Sequence, residues 1–86
     1  MHEMSIAMEV CSIAENHVPR EELGKVIEVG LVVGDRAGVE VDNLQFCLEV
    51  LLTSPPFRAA KPVIERVQGD VLRVSYLEVD DDRPDD

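Results

Sequence analysis

The stretch "VIEVGLVV" at residues 26–33 limits the possible folds of this chain more than any other. Most of its residues are β-branched, a type that fits a pleated surface better than a helix. In a strand, Ile27, Val29, Leu31 and Val33 share one face, and Val26, Glu28, Gly30 and Val32 share the other. That composition predicts a central strand, so the flanking sequence has to supply its neighbours and its cover.

The cover is legible on both sides. Met4, Ala7, Met8, Cys11 and Ala14 recur at helical spacing, and Ile6, Val10 and Ile13 widen the stripe. Asn16 and His17 close this helix, and Pro19 prevents its continuation. "PREELGK" reads as a polar connector. After the strand, "GDRAGVEVD" reads as a loop ending at Asp42, which has the chemistry of a helix N-cap, with Gln45 three residues on. The helix it opens carries Leu44, Cys47, Leu48 and Leu51, with Phe46 and Val50 alongside, and "TSPP" ends it. "PVIERV" and "VLRVSYLEV" then alternate in period two about Gly69-Asp70 and read as a hairpin. In the second of them Leu72 and Val74 fall on one face and Leu77 and Val79 on the other, which a bulge or two half-buried faces would explain. The expected fold is α/β: two helices packed on one face of a small three-stranded sheet, in the order helix, strand, helix, strand, strand.

The 86 residues allow one domain, assigned to 1–79. Residues 80–86, "DDDRPDD", cannot bury anything and are expected to form a disordered acidic tail. A net charge of −10 repels a phosphate backbone, and three aromatics offer little for base stacking, so a nucleic-acid partner is not expected. The apolar run after Met4 is interrupted by Ser5, Glu9 and Ser12, so neither a signal peptide nor a membrane span is expected. Cys11 and Cys47 stand far apart, outside any CxxC, each on a helical stripe; this fits a reduced, cytoplasmic chain. No nucleophile–base set has a recognisable context, and the phosphate-cradling glycine loop is absent, so the chain reads as a non-enzyme.

The first three residues carry the most chemistry. The α-amine of Met1 and the amide nitrogen of His2 can close a five-membered chelate ring, and that amide with its own imidazole a six-membered one. An amide nitrogen binds only after losing its proton, which Ni(II) and Cu(II) can promote, and a planar nitrogen-rich set suits those ions. Glu3 or an acid from a nearby loop could add an oxygen. Glu3 also reads as a first-turn acid complementing the helix dipole. His17, near Glu15 and Glu21, reads as a structural residue at a helix C-terminus. Asp35, Glu40 and Asp42 surround a glycine-containing loop but lack EF-hand spacing, and Asp35-Arg36 reads as a solvated pair.

"MHEMSIA", "VGLVVGDRAGVEVDNLQFCLEVL" and "GDVLRVSYLEVD", in that order, resemble the HypA/HybF family of nickel-insertion accessory proteins. The resemblance implies Ni(II) held through His2 and the N-terminal backbone nitrogens, with Glu40 as a further candidate ligand. It also implies a nickel-insertion GTPase and the hydrogenase large subunit as partners. One departure stands out: the family carries a zinc module with two CxxC pairs between the last two strands, whereas "VIERVQGDVLRV" runs straight through that place. No zinc site is therefore expected. The function expected is a nickel metallochaperone serving [NiFe]-hydrogenase maturation, with Met1, His2, Glu3 and Glu40 as metal residues. The alternative is a zinc-less scaffold or regulatory module without metal delivery.

Overall fold

The computed structural model describes residues 3–80. The chain folds as α1 (Glu3–His17), a 3-10 helix (Arg20–Lys25), β1 (Val26–Gly34), α2 (Val41–Leu52), β2 (Lys61–Val67) and β3 (Leu72–Val79). Both α-helices lie on one face of the three-stranded sheet, as expected, and the polar connector is the added 3-10 turn. β1 is the central strand, in the order β2-β1-β3.

The expected hairpin is absent. β1 pairs with β2 in parallel and with β3 antiparallel, so the two strands adjacent in the chain flank a third. Three elements, β1, α2 and β2, form a strand–helix–strand crossover, because a parallel neighbour can only be reached by a long return. The chain then crosses the end of β1 through residues 68–71. Strands two places apart lie about 9.6 Å from each other, and four residues can span about 13 Å, so this short link suffices. It is stitched down: Gly34 N–H donates to Val71 O at 2.7 Å, Asp35 N–H to Val67 O at 2.8 Å and Arg36 N–H to Gly69 O at 2.7 Å. Asp35 Oδ1 accepts from Gly69 N–H at 2.9 Å, so its carboxylate serves this crossing. A Cβ on Gly34 would collide with the Gly69 carbonyl.

The core lies between the helices and the sheet. Ala7, Val10 and Ala14 of α1 and Leu44, Cys47, Leu48 and Leu52 of α2 meet Val26, Val29, Leu31 and Val33 of β1. The α1 stripe is rotated from the expected one, leaving Met4 and Met8 exposed. Two pairing irregularities revise the strand faces. One lies between Val26 and Glu28, so Val26 joins the core and Ile27 turns outward. The other is a bulge at Ser75: Gly30 pairs with Tyr76 and Leu31 with Val74. That extra residue returns Leu77 and Val79 to the face shared by Leu72 and Val74.

Candidate metal centre

The candidate site starts at the N-terminus of α2. Its N-cap is Glu40, whose Oε1 accepts from Asn43 N–H at 3.1 Å. The cap expected at Asp42 is thus two residues early. Asp42 is instead the second helical residue, and its Oδ1 meets Arg66 Nη2 of β2 at 3.3 Å. Gln45 does not complete a capping box either; its amide donates to Glu49 Oε2 at 3.0 Å. A carboxylate at the N-cap satisfies an otherwise orphan amide and sits at the positive end of the helix dipole.

Glu3, the first residue of α1, reaches the same place. Its Oε2 accepts from Glu40 N–H at 2.8 Å and its Oε1 from Asn43 Nδ2–H at 3.1 Å. One carboxylate therefore binds the start of α1 to the start of α2, so the two helices begin side by side. These bonds favour the ionised form. They hold the Glu3 carboxyl below its ordinary 4.5, the Glu40 amide being the largest cause and the Asn43 side chain the next. Beside Glu40 a polar hollow of about 270 Å³ is lined by Asp35, Asp42 and Arg66 among others.

Of the expected metal residues, Glu3 and Glu40 are brought together, while Met1 and His2 lie outside the described residues. Among the described residues no group of three or more His, Cys, Asp or Glu side chains is placed to hold a metal ion. His17 stands at the far end of α1, with Nδ1 2.9 Å from Ile13 O, in the structural role expected of it. Cys11 is half-buried and Cys47 buried, both free. Burial, with a smaller contribution from Glu15, pushes the Cys11 thiol up to about 11, so at neutral pH it is neither a thiolate nor a ready ligand. Asn43 went unnoticed in the sequence. Its signal was the spacing Glu40-x-x-Asn43, an acid N-cap followed at the third helical position by a side-chain donor.

The family model described as "Hydrogenase/urease nickel incorporation, metallochaperone, hypA" matches residues 1–73. The chain is 41% identical over 69 residues to the hydrogenase maturation factor HypA of Chlorobaculum parvum, covering 80% of this chain and 61% of that protein. It is 42% identical over 69 residues to that of Chlorobaculum tepidum, with the same coverage of 80% and 61%. The chain thus spans about 61% of the length of these curated relatives. The fold is similar to the solution structure of the Ni metallochaperone HypA from Helicobacter pylori, with a TM-score of 0.75 and 17% identity over 92% of this chain and 97% of that one. With its family model matched across residues 1–73, this chain belongs to the HypA family.

Proposed function

We propose that this chain is a nickel metallochaperone for maturation of a nickel enzyme, foremost [NiFe]-hydrogenase. Ni(II) is its cargo. The α-amine of Met1, the amide and imidazole of His2, and an oxygen of Glu3 or Glu40 hold the ion. The supporting observation is the network of Glu3, Glu40 and Asn43, because it fixes the carboxylate of Glu3, the residue that follows His2 in the chain, and that of Glu40 at one helix start. Glu40 is the better oxygen donor of the two, since one of its oxygens has no role in the cap, whereas both oxygens of Glu3 accept hydrogen bonds. Delivery requires an open site with exchangeable ligands, and Glu40 is exposed at the surface. Protons compete for the amine, amide and imidazole nitrogens, so affinity falls as pH drops.

The family points to a nickel-insertion GTPase and the hydrogenase large subunit as partners, in the cytoplasm. Met4 and Met8, exposed on α1 close to the metal end, supply adaptable apolar surface for docking. The chain works without catalysis of its own and without structural zinc, since its two cysteines sit on separate helices. The rival reading, a scaffold that has lost metal delivery, draws on the same network: Glu3 serves there as a helix-to-helix clamp alone.

Calorimetric titration with Ni(II) separates the two. The native chain should bind one equivalent tightly, while His2→Ala and a chain extended before Met1 should lose that phase. Equal weak binding by all three would instead support the scaffold. Zinc found in stoichiometric amount in the purified protein would contradict the zinc-free reading.

A further inference from the structure

We infer that Asp35 is a positioning residue for the Glu40 carboxylate, a role that rests on the nickel reading above. By gripping Gly69 it anchors the loop that carries Glu40 to the metal end. Residues 35–40 join the end of β1 to the N-cap of α2, so the place of Glu40 depends on how this loop is held. Ala37 and Val39 pack against the core and keep the loop down. Apolar burial has no direction, however, and does not fix where a carboxylate points. Between these two residues Gly38 adopts φ +75, with nothing within 4 Å of where a Cβ would stand. The directional hold therefore comes from hydrogen bonds at the two ends of the loop.

The far end is Glu40 itself, whose N–H donates to Glu3 Oε2 and whose carbonyl accepts from Leu44 N–H at 2.9 Å. The near end is clamped to the 68–71 crossing. Gly69 supplies both halves of that clamp: its N–H donates to Asp35 Oδ1 at 2.9 Å, and its carbonyl accepts from Arg36 N–H at 2.7 Å. Asp35 N–H adds a bond to Val67 O at 2.8 Å, and Ala37 N–H closes the turn on Gly34 O at 3.1 Å.

All of these near-end bonds but one run from backbone to backbone, and most residue types could make them. The exception needs a short side-chain acceptor at position 35 that turns back onto a backbone amide, which Asp provides. Its charge strengthens the bond. The anchor also lies beside the cap it serves, since Asp35, Val39, Glu40 and Asp42 line one polar hollow. Asp35 thus sets the origin of the loop, Glu3 holds its end, and the free oxygen of Glu40 keeps one place relative to the start of α1.

Ni(II) calorimetry on the full chain tests this. Asp35→Ala should weaken the His2-dependent phase about 10-fold, the low end for a group that orients a ligand. Asp35→Asn keeps the acceptor and removes the charge, so it should bind as the native chain does. Glu40→Gln retains an oxygen that can cap Asn43, and in that background Asp35→Ala should change affinity no further, because its effect passes through Glu40. Native affinity in Asp35→Ala would overturn the proposal. So would equal losses for Ala and Asn, which would make Asp35 a ligand or a bare charge. An additive loss in the Glu40→Gln chain would overturn it as well, by showing a general effect on the fold. Hydrogen exchange of the metal-free chain reads the anchor without the cargo. The Glu40 and Asn43 amides should exchange faster in Asp35→Ala and at the native rate in Asp35→Asn; unchanged rates in Asp35→Ala would overturn the proposal. A native chain lacking any His2-dependent phase would overturn the nickel reading instead, and these amide rates would still decide whether Asp35 holds Glu40.

Discussion

Glu3 commits both carboxylate oxygens to the start of α2, and this one side chain does most to define the candidate site. Asn43 is its counterpart, giving its side-chain amide to Glu3 and its backbone N–H to Glu40. Loss of that amide in Asn43→Ala leaves the Glu40 cap in place but frees one side of Glu3. Calorimetry should then find Ni(II) affinity weakened by about 10-fold, the scale for a residue that orients a ligand, with the circular dichroism unchanged. Acid stability reads the same contact. The Glu3 carboxyl titrates lower when folded, so its contribution is present above the ordinary 4.5 and is lost as pH falls through the folded value. Urea midpoints of Glu3→Gln should therefore drop less than those of the native chain between about pH 5 and pH 3. Equal drops would show that the contact has no weight in stability. Glu3 and Glu40 are separate candidates in the sequence; their meeting depends on two helices starting side by side, which no local pattern encodes.

At the level of elements, strand and helix identities were legible and their partners were not. Period-two alternation in β2 and β3 is a local property, and Gly69-Asp70 supports a turn, so a hairpin was the natural reading. The pairing is decided elsewhere. β1 is buried along most of its length and takes the centre, while the β1–α2–β2 order, visible in the sequence as strand, helix, strand, imposes a parallel neighbour. β3 is left the remaining edge of β1, with the link across Gly34. The displaced N-cap has a similar origin: Asp42 has the better intrinsic preference, yet Glu40 stands where the backbone turns into the helix, held by Glu3. Gly34→Ala tests the crossing. Its new methyl meets the Gly69 carbonyl, and urea unfolding should show a loss of more than about 1 kcal/mol, with faster hydrogen exchange at the Gly34 and Arg36 amides. Gly30 is limited in another way: the Tyr76 ring lies across it while the Tyr76 hydroxyl donates to Glu28.

At the scale of the whole molecule, a single helix layer over three strands leaves little redundancy. A chain of 86 residues has a total stability of roughly 4–13 kcal/mol. Leu48 is completely buried, and Leu48→Ala should cost about 2–5 kcal/mol in urea unfolding, enough to unfold a sizeable fraction of the protein if the total is at the low end. Among the described residues no helix is long and apolar enough to cross a membrane. The layer order and the central strand follow from hydrophobic period, whereas the buried face of α1 is rotated from the stripe that period marks, leaving Met4 and Met8 exposed. The sheet order, the bulge at Ser75 and the meeting of the two helix starts follow from packing between distant segments.

Chemical-shift mapping during Ni(II) titration tests the central claim most directly, since it reads where on the chain the ion goes. One equivalent of metal should shift or broaden the amide signals of Glu3, Glu40 and Asn43 and saturate there. Changes confined to the aspartates at 80–86, growing without saturation and leaving Glu40 and Asn43 unmoved, would contradict it.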